Sequence, residues 1–283
     1  MENKNPLVSV IIPCYNLGKY IDEAVDSVLN QTYQNFEIII VNDGSTDNYT
    51  NELFNNYNKP KTKVFTTENR GVSAARNYGI DHCNGKYIVA LDADDKLADH
   101  YLEGCIDAFN LIPELDIVYS RAEYFGKRKG LLDDSVFNYK VMLLYDLIFV
   151  SAMYKKEDFY RIGGYDVSMN HGAEDWDFWL RLLDKNSKVY RIENVLFFYR
   201  IRNNSRDVSY SLDSRREFEK HIFKKNIEKY LDIFDSPIEI FREYLILKDE
   251  NKKFDMVKKQ IYSSLSYRIG HLLLFPFKHI RNL

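Results

Sequence analysis

Apolar, β-branched runs recur along the first half of the chain, each followed by a segment of helical period. LVSVIIP (7–13), FEIIIVN (36–42), TKVFTT (62–67), KYIVALD (86–92) and LDIVYS (115–120) read as central strands. Between them, KYIDEAVDSVLNQ, TDNYTNELFNNY, VSAARNYGIDHC and DHYLEGCIDAFN repeat their apolar positions at helical spacing. This alternation predicts an α/β fold, a mostly parallel sheet with helices on both faces. Residues 121–146 mix GKRKG with LLDDS and read as a loop or insertion. The stretch 149–166 gives a further strand, a short helix and a Gly-Gly turn. A helix over 173–185 carries Trp176, Trp179, Leu180 and Leu183 on one side, and from about 212 the pattern is helical throughout. The expected organisation is a body over 1–210 and a C-terminal helical extension over 211–283.

On such sheets ligands bind beyond the carboxyl ends of the strands, so the residues just after each run are the ones to weigh. After the first strand stand Pro13, Tyr15 and Asn16. NDGSTD (42–47) follows the second, ENRG (68–71) the third and DADD (92–95) the fourth. Taken alone, DADD has two readings. Asp94 or Asp95 could cap a helix beginning near Leu97, or the carboxylates could hold Mg²⁺ or Mn²⁺ over a diphosphate. Asp43 sits in a βα turn that Gly44 tightens and that Ser45 or Thr46 could cap, and it could equally accept hydrogen bonds from a base or ribose. Arg70 and Arg76 bring cations suited to bidentate contact with phosphate, or to a neighbouring Asp. In HGAEDWDFW, Asp177 is spaced to pair with Arg181 on the helix surface. Glu174 and Asp175 either favour the helix dipole or supply a general base. The two tryptophans read as core.

Composition narrows the function classes. With 45% hydrophobic and 29% charged residues, the 283-residue chain is an ordinary soluble type with enough length for a large core. The 22 Tyr and 18 Phe provide faces for stacking on rings. Cys14, Cys83 and Cys105 are too few and too far apart for a disulfide framework or zinc site, which fits a reducing compartment. The opening MENKNPLVSVIIP lacks the features of a signal peptide, so a cytoplasmic location is expected. Residues 215–283 carry 15 Lys and Arg against 10 Asp and Glu, so the acidic excess lies in the body and argues against a nucleic-acid binder. After Asp255 come five basic residues, no side-chain carboxylate and the run IGHLLLFPF. That run is too short to span a bilayer, and it suits a basic amphipathic tail lying on the anionic cytoplasmic face of a membrane.

In this order, VSVIIPCYN, VNDGSTD, NRGVSAARNYGI, LDADD and GAEDWDFWLRL resemble a family 2 inverting glycosyltransferase of the bacterial type, with a GT-A fold, over about residues 6–203. The resemblance implies that Pro13, Tyr15 and Asp43 hold the base and ribose of a nucleotide-sugar donor, usually a UDP-sugar. Gly71, Ala75 and Arg76 match the segment beside the ribose and diphosphate. Asp92, Ala93 and Asp94 match the DXD motif, with Asp94 the direct ligand of Mn²⁺ or Mg²⁺, Asp92 its companion, and Asp95 assisting. Asp175 matches the catalytic base. The implied acceptor is a hydroxyl of a saccharide or lipid-linked saccharide in cell-surface polysaccharide synthesis. One position departs: Arg202 stands where many relatives carry a histidine that helps bind metal or diphosphate. Two other classes compete. A phosphohydrolase or phosphotransferase using the Asp-x-Asp pair is disfavoured because DADD follows the fourth strand, not the first. A catalytically silent nucleotide-sugar-binding partner is disfavoured because Asp94 and Asp175 are intact. A dinucleotide oxidoreductase would need a Gly-x-Gly-x-x-Gly turn that PCYNLGKY lacks.

Overall fold

A computed structural model of the chain describes residues 5–132, 136–169, 172–202, 212–234 and 236–263. These residues divide into two compact units, 1–227 and 228–283. The larger unit runs beyond the boundary expected at 210 because a helix after that point packs into it.

The strands are β1 (Val8–Cys14), β2 (Phe36–Asp43), β3 (Thr62–Thr67), β4 (Tyr87–Ala90), β5 (Lys96–Leu97), β6 (Ile117–Gly126), β7 (Gly130–Leu131), β8 (Met153–Lys155) and β9 (Val189–Ile201). They form one sheet in the order β3-β2-β1-β4-β8-β6-β9-β5, with β7 paired to β6. β1 lies parallel to β2 and to β4, with Val8 opposite both Phe36 and Tyr87. All of β1 and β4 is buried, which explains their unbroken apolar runs: helices cover both faces, so no alternation is needed. The rest of the sheet is mixed. β8 runs antiparallel to β4 and β6, and β9 returns parallel to β6.

Helices α1 (Gly18–Leu29), α2 (Asn48–Asn55), α3 (Val72–Asp81) and α4 (Tyr101–Leu111) make the crossovers. They are followed by α5 (Tyr139–Met142), α6 (Lys156–Ile162), α7 (Glu174–Leu182) and α8 (Leu212–Lys225). Because β2 lies on one side of β1 and β4 on the other, the chain reverses its winding direction at β1. That is where an open α/β sheet leaves a crevice.

Three local expectations are corrected. Residues 121–126 are not loop but the second half of β6, paired with β9 from Ala122↔Phe197 to Gly126↔Ile201. This stretch escaped notice because it is only half-buried and carries charges on its open side. The cap of α2 is neither Ser45 nor Thr46 but Asp47, whose carboxylate accepts from the Thr50 N–H at 2.8 Å and is held below its usual pKa by that bond. Asp94 and Asp95 cap nothing: the residues after them form β5, and α4 begins at Tyr101, well downstream.

In the larger unit α8 is tied down by Lys225, whose Nζ lies 2.6 Å from Asp166 and 2.9 Å from Asp177. Asp177 also pairs with Arg181 at 2.8 Å, as its spacing implied, but it is fully buried rather than on the helix surface. Both tryptophans are core residues that satisfy their indole N–H groups, Trp176 on the Met142 carbonyl and Trp179 on that of Ile148. The three cysteines are free and buried. In the second unit, α9 (Ile227–Ile233) continues the chain from the larger one, and α10 (Pro237–Ser263) follows it. No helix among the described residues is long and apolar enough to cross a membrane. The expected amphipathic tail lies outside the described residues from 264 onward, IGHLLLFPF included.

Candidate active site

The carboxyl ends of β1, β2, β3 and β4 open into a cleft of about 960 Å³, within the size range of small-molecule sites. Pro13, Tyr15, Asp43, Gly71, Arg76, Asp92, Ala93, Asp94 and Asp175 all line it. Four separate stretches of sequence are brought together by the parallel strands, and α7 adds Glu174 and Asp175 to the lining. Ala75 and Asp95 are buried and are not part of this lining, and Arg70 is exposed.

At one end the loops interlock. Asn16, in the left-handed conformation that Asn tolerates, accepts from the N–H groups of Thr46 and Asp47 at 2.7 and 3.1 Å. Asp43 is buried at the end of β2, and its two carboxylate oxygens accept from the N–H groups of Arg70 and Gly71 at 2.9 and 3.0 Å. Arg70 thus enters through its backbone. Gly44 has φ +60, and a Cβ there would lie 2.5 Å from the Asn69 nitrogen, so only glycine lets the two loops approach. Tyr15, 44% exposed, lines the cleft at this end.

At the centre Arg76 is 1% exposed, and its fork joins two elements: Asp92 at 2.7 Å and Glu174 at 2.9 Å. Its guanidinium lies over the Tyr165 ring, 5.4 Å from the centroid. Asn77, one residue on, exchanges two 2.8 Å hydrogen bonds with the backbone of Tyr165. The resemblance assigned Arg76 to the diphosphate. In the structure its fork pairs with two carboxylates, Asp92 and Glu174. Glu174, weighed in the sequence as a dipole partner or base, is its buried counter-ion.

DADD is crowded with negative charge. Burial, and then the charge of Asp92, raise the Asp94 carboxyl above its usual range, against the lowering pull of Arg202. Asp95 is raised well above it by burial, with Asp94 and Asp92 adding to the effect. The end of β9 answers part of this charge: the Arg200 N–H donates to Asp95 at 2.8 Å and its Nε to the Asp94 carbonyl at 2.6 Å. Across the cleft, burial and then the neighbouring Glu174 push Asp175 up to about 7, opposed by Arg76.

The stretch after the first half of β6 contributes Tyr124, Leu132, Leu144, Asp146, Phe149 and Val150 to the lining. Phe197 and Tyr199 join them from β9, and Arg215, Phe218 and Glu219 from α8. Sequence reasoning missed these last five. The alternation of Phe197 and Tyr199 was a strand signal for one shared face, whereas α8 gave no sign of where it packs.

The pattern that defines Glycosyl transferase family 2 matches residues 9–172, stopping just short of Glu174 and Asp175. An uncharacterized glycosyltransferase of Rickettsia typhi is 34% identical over 232 residues, covering 76% of this chain and 70% of that protein. Chondroitin synthase of Escherichia coli is 38% identical over 130 residues, covering 46% of this chain and 19% of the synthase. Among solved structures, S. aureus TarS 1-349 in complex with UDP-GlcNAc superposes with a TM-score of 0.61 at 19% identity, over 80% of this chain and 72% of that one. The mannosyltransferase PcManGT from Pyrobaculum calidifontis, in complex with GDP-Man and Mn2+, gives 0.59 at 18% identity over 94% and 83%. The shared architecture is the GT-A fold. With a cleft at the winding reversal of that fold, and with the family match spanning most of the strands that build it, this chain belongs to glycosyltransferase family 2.

Proposed function

We propose that the cleft binds a UDP-sugar and that Asp175 activates a hydroxyl of a saccharide acceptor, giving transfer with inversion. The observation that carries this reading is the Arg76 bridge. It joins the acidic DADD loop to the Glu174-Asp175 pair on the lining of a single cleft, so that a donor side and a base come together. Pro13, Tyr15 and Asp43 would hold the uracil and ribose, with Gly71 and Ala93 leaving the backbone bare beside the diphosphate. The structures of the same fold that hold UDP-GlcNAc or GDP-Man support a nucleotide-sugar donor, and likeness to chondroitin synthase supports a saccharide acceptor.

The chemistry of the DADD loop fits a divalent cation. Asp92 and Asp94 offer hard oxygen donors, and both line the cleft. No group of three His, Cys, Asp or Glu converges into a cage among the described residues, so diphosphate oxygens and water would complete the set. When bound, Mn²⁺ or Mg²⁺ would neutralise the charge that develops on the departing diphosphate. The protein's own part is the proton. Asp175, with its carboxyl near 7, takes the acceptor O–H proton as that oxygen bonds the anomeric carbon, and the bond from that carbon to the diphosphate oxygen breaks with its electron pair leaving on UDP.

The tail beyond Asp255 would lie on an anionic membrane surface, which suits a lipid-linked acceptor. Exposed Leu245, Ile246, Leu247, Phe254, Met256 and Val257 add apolar surface in the same unit. Truncation after residue 250 is expected to abolish partitioning onto anionic vesicles; unchanged partitioning would remove this part of the reading.

Calorimetry of UDP with and without Mn²⁺, on wild type and Asp94→Ala, tests the site. Metal-dependent binding that the variant loses is expected. UDP binding indifferent to both metal and variant would move the diphosphate away from DADD, and no nucleotide binding at all would overturn the donor assignment.

A further inference from the structure

Away from the donor residues, six of the side chains that line the cleft, Leu132, Leu144, Phe149, Val150, Phe197 and Phe218, carry no polar atom. A hexose is ringed by hydroxyls, and an O–H pressed onto such a wall loses its water without gaining a partner. Two of the charged residues in the lining, Arg215 and Glu219, already pair with each other at 2.8 Å. This part of the cleft therefore suits an apolar group better than a sugar alone.

One of the six leads out of the cleft. α7 holds the stretch after α5 by both of its indoles: Trp176, directly after Asp175, donates to the Met142 carbonyl at 2.7 Å, and Trp179 to that of Ile148 at 2.8 Å. Between those anchors Leu144 lines the cleft and is 53% exposed. The N–H groups of Leu144 and Tyr145 both donate to the Val141 carbonyl at 2.9 Å, so the turn of α5 continues and Val141, Leu144 and Tyr145 share one face. Val141 is 39% exposed and Tyr145 58%. A turn tethered beside the base thus carries apolar surface from the cleft wall to the outside, and Tyr145 brings a hydroxyl suited to an apolar-water boundary. We propose that this turn seats the first carbons of a lipid chain: the acceptor saccharide is lipid-linked, and its chain leaves the cleft over Val141, Leu144 and Tyr145. This rests on the reading of Asp175 as the base, beside which the acceptor hydroxyl must stand. The occupant is the acceptor's own chain rather than the bilayer, because Leu144 belongs both to the seat and to the cleft in which the acceptor reacts.

The test is calorimetric binding of n-alkyl β-D-glucosides, methyl to octyl and all below their micelle concentrations, to the full chain in the presence of UDP and Mn²⁺. Wild type is compared with the double variant Leu144→Ser, Tyr145→Ser and with Leu111→Ser, an 81% exposed position at the end of α4 that does not line the cleft. Thermal melts and UDP affinity establish that each is folded with its donor end intact. In wild type, affinity is expected to rise about 3- to 4-fold for each CH₂ that the seat covers, the equivalent of roughly 0.8 kcal/mol per buried CH₂, and then to level off. The double variant is expected to lose most of that rise, and Leu111→Ser to keep it. If methyl and octyl glucoside bind alike, or neither binds, while UDP still binds, the lipid seat is overturned and the donor reading stands. A rise with chain length that survives in the double variant places the chain elsewhere and overturns the seat as well. If the double variant keeps that rise and instead loses partitioning onto phosphatidylglycerol vesicles, the turn is a membrane contact and not a seat for the acceptor. If wild type shows the rise and the double variant loses it, but neither binds UDP, the lipid seat stands and the donor assignment falls.

Discussion

Asp175 combines a carboxyl pushed up to about 7 with a place on the cleft wall, and the sign of two pH effects follows. As a base it works only when ionised, so kcat/KM is expected to climb about tenfold per pH unit below 7 and level off above. Asp175→Asn is expected to lower kcat by about 10²–10⁴ with donor affinity preserved. A pH-rate profile with no inflection between 6 and 8, in the approximate range where the raised carboxyl should titrate, would count against the assignment. Stability runs the other way. The folded pKa lies above the unfolded one, so between about pH 4 and 7 the folded state binds the extra proton and stability falls as pH rises. Asp175→Asn is therefore expected to melt a few degrees higher than wild type at pH 8 and to match it near pH 4. Arg76 gives the opposite kind of residue. Arg76→Ala leaves Asp92 and Glu174 without their shared cation and is expected to cost about 3–5 kcal/mol in urea unfolding. The strand-end residues were legible because a parallel sheet gathers whatever follows each strand. The direction of Arg76 was not, since Arg beside an acidic loop suits phosphate and carboxylate equally until the distances are known. Nor was the contact of Arg202 with Asp94, which joins distant stretches without a periodic signal.

Among the elements, the βα turn after β2 is held to the neighbouring loops by side-chain oxygens of Asn16 and Asp43 that accept from backbone N–H groups. Gly44→Ala would place a methyl against the Asn69 nitrogen in a left-handed conformation and is expected to destabilise by about 2 kcal/mol. Because Asn69 precedes the two N–H groups that Asp43 holds, UDP affinity is expected to fall with it. A variant with wild-type melting and UDP affinity would show that the loops part without consequence. Asp47→Ala removes only a cap and is expected to cost about 1 kcal/mol with UDP binding unchanged, as read by thermal melt and calorimetry. Strands such as β1 and β2, mostly apolar and almost wholly buried, announced themselves, and the helices between them fell at the expected spacing. The far half of β6 did not. A half-buried strand carries its signal only in alternation, and GKRKG just beyond it reads as turn chemistry.

For the whole molecule, the boundary at Ile227 has a functional consequence. Among the described residues, those that line the cleft precede it, the last being Glu219 on α8, and α8 is held to the body by Lys225 on buried Asp177. A chain ending at Ile227 therefore keeps the sheet, the Arg76 bridge and the buried end of α8. It is expected to unfold cooperatively and to bind UDP with wild-type affinity. A chain ending at residue 210, where the sequence pattern changes to helix, drops α8. It strips Asp177 of Lys225, leaving Arg181 as its partner, and removes Arg215, Phe218 and Glu219 from the cleft. That shorter chain is expected to be less stable by about 1–3 kcal/mol and to lose acceptor affinity more than donor affinity, since the residues removed stand away from the Asp43 end. Paired measurement of UDP binding and urea unfolding on the two truncations separates the outcomes. If the chain ending at 227 fails to bind UDP while remaining folded, the second unit takes part in the donor site. If the chain ending at 210 matches full length in both, α8 is an appendage and the body ends where the sequence pattern alone placed its edge.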